Sequence, residues 1–235
     1  MGVFMKKKLI VLSILGLISM GTIVYSADKN FATNIEQSKV YLDEADTLMQ
    51  KSDLSGAEKK LNEALKLNSK NAGAYYKLGL IENAKSNDGK ALTYFTKAIE
   101  ISPNNAEYYF ARGCVETQAF QLKDHIGDLN KAIELNPQKA QAYVLLAIAY
   151  DRYGYTQKAV EYFDKAIECE ETSFDFLYTA RAELKVKMRE YDNAIADYNK
   201  AIEIIKKGTN SSKTQNIESI KQKIEEIQQA KKVFK

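Results

Sequence analysis

The sequence predicts an all-α fold: an α-solenoid of five 34-residue helix-turn-helix units closed by a C-terminal helix. Three observations carry that prediction. One pattern returns every 34 residues, its columns keep small and large residues in register, and the C-terminal segment carries an apolar stripe at helical spacing. A helix pair this short cannot bury its apolar face alone, so the copies must stack, and at least three are needed for a stable array.

In chain order, the first element is residues 1–26. Three lysines, Lys6 to Lys8, precede an apolar run from Leu9 to Val24 and then Tyr25-Ser26-Ala27-Asp28, the three-part layout of a secretory signal peptide. Cleavage is expected after Ser26 or Ala27. The alternatives are an uncleaved membrane anchor over residues 9–24, although 16 residues fall short of the about 20 a spanning helix needs, and a buried helix of the folded domain. Membrane contact is expected only through this segment, if it is retained. Residues 27–37 lead into the first helix.

The units run 38–71, 72–105, 106–139, 140–173 and 175–208, with Phe174 inserted before the fifth. The fourth residue of each is Tyr41, Tyr75, Tyr109, Tyr143 or Tyr178, and the eighth is small: Ala45, Gly79, Gly113, Ala147, Ala182. Twelve residues on stand Ala57, Ala91, His125, Ala159 and Ala194, followed four later by Leu61, Phe95, Leu129, Phe163 and Tyr198. Alanine then closes the pattern at Ala64, Ala98, Ala132, Ala166 and Ala201. Small residues let two helices approach closely, and a large one fills the space opposite. Most tyrosines are thereby assigned to packing, including Tyr94, Tyr162 and Tyr191. Beyond the units, residues 209–235 form a polar linker and an amphipathic helix with Ile217, Ile220, Ile224 and Ile227 on one face. It is expected to cap the array; a dimerising or partner-binding helix and a membrane-surface helix are the alternatives.

These columns resemble the tetratricopeptide repeat family. Lys97-Ala-Ile-Glu-Ile-Ser-Pro103 and Lys131-Ala-Ile-Glu-Leu-Asn-Pro137 carry its end-of-unit signature, while tryptophan is absent and tyrosine fills its column. The resemblance implies a right-handed superhelix whose first helices line a concave face. It places Tyr76 and Leu80, Phe110 and Cys114, and Val144 and Ile148 there as an apolar strip, flanked by Asn83, Thr117 and Asp151, with Glu107, Gln141 and Arg152 near the rim. The family's carboxylate clamp, built from lysine and asparagine, is not matched: Leu80, Cys114 and Ile148 occupy its asparagine columns, and Lys39, Lys77 and Arg152 are scattered cations.

Composition narrows the function. The formal charge of +3 equals the three lysines ahead of Asp28, so the chain after them is neutral and offers no electrostatic footprint for nucleic acid. That neutrality is divided: Lys206 to Lys235 hold 8 basic and 3 acidic side chains, and residues 27–205 hold 23 and 28. No catalytic, cofactor or metal site is expected, since there is one histidine, no phosphate-cradling loop and no nucleophile elbow. His125 occupies a packing column, with a general base or ligand as the alternative. Cys114 and Cys169 fall on different helices of different units and are expected as free thiols, an intramolecular bridge being the alternative. The expected function is a non-enzymatic protein-protein interaction scaffold, exported to the bacterial cell envelope or periplasm, binding an apolar or amphipathic protein segment on its concave face. The alternatives are a structural subunit of an envelope assembly or secretion complex, and a hydrolase built on the repeat scaffold.

Overall fold

The computed structural model describes residues 31–118, 125–169, 174–207 and 213–233. All regular structure among them is helical, in eleven helices: α1 (31–50), α2 (Leu54–Leu67), α3 (Ala72–Ala84), α4 (Asp88–Ile101), α5 (Ala106–Gln118), α6 (His125–Leu135), α7 (Ala140–Arg152), α8 (Thr156–Glu168), α9 (Asp175–Lys187), α10 (Tyr191–Lys207) and α11 (Lys213–Val233). The predicted signal segment and the start of the 209–235 segment, residues 209–212, lie outside the described residues. Helix is already present at residue 31, within the stretch read as a lead-in.

Two compact units divide at Ser102 and Pro103. The first holds α1 to α4. Its core is Ala45, Ala57, Leu61, Ala64, Ala74, Leu78 and Ile81, joined by the fully buried Ala91, Phe95 and Ala98 of α4. Each of these alanines except Ala74 comes from a small-residue repeat column, where a small side chain sets the distance between helices. Gly79 takes this furthest: a Cβ there would lie 2.5 Å from Phe95 Cε1, so α3 and α4 approach only because the side chain is missing. The first two helices are tied to α3 by Ser38, which is fully buried. Its hydroxyl donates to the Ala64 carbonyl at 3.0 Å and accepts from Asn71 Nδ2 at 3.0 Å. Asn71 in turn caps α3 by accepting from the Ala74 N–H at 3.1 Å, a contact of the kind that stabilises a helix by about 1 kcal/mol.

The second unit holds α5 to α11. Leu129, Ala142 and Leu146 form one part of its core. Ala147, Ala159, Val160, Phe163, Ala166, Leu177 and Leu184 form the next. At the C-terminal end, Ala182, Ala194, Tyr198 and Ala201 meet Ile202, Ile205, Ile220 and Ile227. The amphipathic stripe of α11 is thus turned inward against α9 and α10. Its lysines are engaged as well: Lys223 lies 2.5 Å from Glu183, and Lys231 pairs with Asp192. α11 caps the array, with Ile220 and Ile227 buried and Ile217 and Ile224 half-buried against the same cluster.

The turn within a helix pair repeats one backbone device. Ser52, Ser86, Gly154 and Arg189 all adopt left-handed φ, between 60° and 81°, at the same position of their units. Around Ser86 the hydrogen bonds are those of a Schellman closure: the Ser86 N–H donates to Asn83 O at 2.8 Å and the Asn87 N–H to Glu82 O at 2.8 Å. Gly154 and Arg189 repeat both bonds. Only one of the four is glycine, so three L-residues carry a conformation costing about 1–2 kcal/mol.

A further column pair joins the two helices of a unit. At the seventh and twenty-third positions stand Glu44–Lys60, Leu78–Tyr94, Arg112–Asp128, Leu146–Tyr162 and Arg181–Asp197. Ion pairs form in the first, third and fifth: Lys60 to Glu44 at 2.8 Å, Arg112 bidentate to Asp128 at 2.6 and 2.8 Å, and Arg181 bidentate to Asp197 at 2.8 and 2.6 Å. The last is extended by Asp164, 2.6 Å from Arg181, and Lys185, 2.9 Å from Asp197.

Candidate functional site

Within the second unit, α5, α7 and the start of α9 enclose a pocket of about 220 Å³. Phe110 and Cys114 contribute from α5, Val144 and Leu145 from α7, and Phe174, Phe176 and Leu177 from the α9 end, with Ala140 and Gln141 between. Helical geometry explains the grouping. Phe110 and Cys114 are four residues apart and share one face of α5, while Val144 sits at the matching position of α7, so like faces of successive first helices meet. Gln141 is the one polar side chain in this wall.

Two features make the pocket unusual for a soluble surface. Phe174 and Phe176 are 49% and 48% exposed, with ring centroids 5.8 Å apart. Most large apolar side chains here are buried, so two half-bare rings beside a carbon-lined cavity form a patch rather than scattered exposure. The rim is electrically balanced. Lys139 donates to both carboxylate oxygens of Glu107 at 2.7 and 2.9 Å and lies 4.2 Å above the Phe110 ring, a cation–π contact that fixes Phe110 in place. Burial pushes the Cys114 thiol up to about 12, with Lys139 opposing and Glu107 adding to the shift. That thiol stays protonated at neutral pH and contributes a small apolar wall. Both Cys114 and Cys169 are free, as their unit positions predicted.

A second pocket of about 380 Å³ adjoins the first across Phe176, which lines both. It lies between α9 and α11 and is mixed: Asp175, Thr179 and Glu183 face Asn216, Ser219 and Lys223, with Phe176, Ala180 and Ile220 between them.

The residues predicted for the concave face are distributed as follows. Phe110, Cys114 and Val144 line the apolar pocket. Ile148 is half-buried against the cluster of Leu177 and Leu184, and Asp151 is engaged by Lys187 at 2.7 Å. In the first unit Tyr76, Leu80 and Asn83 share a face of α3 and are half-buried, Tyr76 with its ring 5.9 Å from Phe95. The side chains of Thr117 and His125 lie outside the described residues. Lys77, read as a scattered cation, pairs with Asp46, and Lys39 with Glu36.

Sequence reasoning missed Phe174 and Phe176. Phe174 entered only as the insertion between units, and Phe176 occupies the second position of the fifth unit, the column that supplied Glu107 and Gln141. Extending that column one unit further exposes it. Among the described residues no group of His, Cys, Asp and Glu is arranged to hold a metal, and no helix is long and apolar enough to cross a membrane.

Models of the tetratricopeptide repeat match residues 42–106 and residues 140–172 and 177–207. No curated protein matches the chain. Among solved structures, MamA is 27% identical with a TM-score of 0.65, over 73% of this chain and 93% of that one. PilF of Pseudomonas aeruginosa superposes with a TM-score of 0.68 at 18% identity, over 83% of this chain and 93% of that one. YrrB, a tetratricopeptide protein with an unusual peptide-binding site, gives 0.60 at 24% identity, over 74% and 91%. The models together span more than half of the 235 residues, the helix pairs follow the same period, and the chain belongs to the tetratricopeptide repeat family.

Proposed function

We propose that this protein is a scaffold that grips an apolar or amphipathic segment of a partner protein in the α5–α7–α9 pocket. The observation that carries the reading is a carbon-walled pocket bordered by two half-exposed phenylalanines. Burying the remaining half of one such ring contributes about 1 kcal/mol, or roughly five-fold in affinity. The walls come from packed helices, so little ordering accompanies binding. YrrB carries a peptide-binding site on the same fold, which favours a peptide occupant.

The reading places the mature protein in a bacterial cell envelope, because residues 1–26 have the layout of an export signal. Site-specific photocrosslinking from positions 144 and 176 in cells, followed by identification of the adduct, tests both parts. A discrete protein adduct from these positions and none from the outward face of α8 is expected. Adducts of equal yield from both faces overturn the pocket, and recovery in the cytosolic fraction overturns the export.

A further inference from the structure

The two pockets that meet at Phe176 differ in chemistry, and the difference specifies what sort of segment spans them. On one side the walls are Phe110, Val144 and Phe174. On the other side the lining includes the carboxylates of Asp175 and Glu183 and a single cation, Lys223. Lys223 lies 2.5 Å from Glu183, so that pair is locally neutral. Asp175 has no ion-pair partner among the described residues. It stands in the first turn of α9. At the apolar pocket's rim, Lys139 and Glu107 cancel. Among the described residues that line the two pockets, the carboxylate without an ion-pair partner is therefore that of Asp175, beside the half-exposed Phe176 ring.

Resting on the proposed function, we infer that the partner segment carries a bulky apolar side chain followed within a few residues by a lysine or arginine. The apolar side chain fills the cavity of Phe110, Val144 and Phe174, the chain crosses Phe176, and the cation meets Asp175. The methylene stem of that lysine or arginine lies along the Phe176 ring, where aromatic and cationic groups attract. A segment with an acidic residue there meets the carboxylate of Asp175, and the lining cation among the described residues, Lys223, is already paired with Glu183. This polarity is opposite to that of a site built to take a carboxylate.

Fluorescence anisotropy of the full-length protein with labelled synthetic decapeptides tests the inference. The peptides carry leucine, phenylalanine or serine at one position and lysine, glutamine or glutamate two to four residues later. The leucine–lysine and phenylalanine–lysine peptides are expected to bind, and glutamate in place of lysine to weaken binding about five-fold, as a partly exposed charge contact does. Asp175→Asn removes that preference while leaving the requirement for the apolar residue, and raising salt shrinks the lysine preference in the wild-type protein. Phe174→Ser and Phe176→Ser are at half-exposed positions and retain the helical circular dichroism; each weakens all apolar peptides alike.

Equal binding of the lysine and glutamate peptides, with both phenylalanine variants still weakened, overturns the inference and leaves the pocket reading standing. Binding that ignores the phenylalanine variants, or none at all, overturns both. Concentration-dependent self-association abolished by Phe176→Ser, without peptide binding, assigns the pocket to a second copy of this chain and also overturns both.

Discussion

The helix pairs α3/α4 and α9/α10 occupy equivalent places in the repeat, yet they are closed by different chemistry. In the first, Gly79 receives the Phe95 ring and the flanking column pair is Leu78 and Tyr94. In the second, Ala182 faces Tyr198 and the flanking pair is Arg181 and Asp197, buried and bidentate. The comparison separates what the repeat demands from what it tolerates. Small opposite large and alanine at the close are fixed by the distance between helices. The seventh and twenty-third positions need only two side chains that satisfy each other.

Breaking the charged version has the largest expected effect. The side chains of Arg181 and Asp197 are 15% and 7% exposed, and Asp197→Ala leaves Lys185 without its partner and Arg181 with Asp164 alone. A loss of about 3–5 kcal/mol is expected, read as a fall in the urea midpoint with unchanged slope. Converting the pair to the chemistry of its counterpart, with Arg181→Leu and Asp197→Tyr together, should recover most of that loss. If the double variant is as unstable as Asp197→Ala, the two columns are not interchangeable.

Next in size is Gly79→Ala. Helix propensity favours alanine by about 1 kcal/mol, but the new Cβ would press on the Phe95 ring at 2.5 Å. Forced repacking of that kind costs about 1–3 kcal/mol, so a net destabilisation in thermal melts is expected. Gly113→Ala meets Leu129 at a looser 3.1 Å and should cost less. Equal losses at the two glycines would show that closeness to the large column is not what selects glycine.

The turns give a smaller effect of opposite sign. Replacing Ser86 by glycine at its φ of 60° should stabilise the protein by up to about 1 kcal/mol, and Gly154→Ser should destabilise it by a similar amount. Thermal melts of the two variants, moving in opposite directions, check this.

Smallest is a pH effect confined to the α3/α4 turn. The Lys85 ammonium, which donates to Glu82 at 3.1 Å, and then Asn87, at 3.0 Å, hold the Glu82 carboxyl below its usual range against the opposing effect of burial. A carboxylate lowered in the folded state contributes stability above its unfolded pKa and loses it as pH falls through the folded one. Melting temperature should therefore fall below about pH 4.5, and Glu82→Gln should flatten that part of the profile by lowering the melting temperature near neutrality while leaving the acid end little changed.

How much of this was legible in the sequence follows from what a period encodes. The columns revealed the buried alanines and the glycines facing large residues, because each reflects a distance repeated in every unit. The alternating ion pairs were legible in principle, sixteen residues apart, but they break the rule that a column keeps one chemistry. Cys114, Phe110 and Val144 were found because they sit on the repeated face. Phe174 belongs to no column, and its exposure depends on how the chain enters α9, a local path that periodicity does not describe. The inward stripe of α11 was readable as a helix; that it docks on Ile202 and Ile205 required the neighbouring faces.

That last helix also limits growth. A stack of helix pairs accepts another wherever its final apolar face is open, and the length of such a polymer is then set by concentration. Here Ile220 and Ile227 already rest on Ala182, Tyr198 and Ala201, and Glu183 and Asp192 hold the lysines of the same helix. A second molecule joining at α10 would have to displace 21 residues of ordered helix. Stacking of a further pair on this face therefore competes with α11 for the same apolar surface.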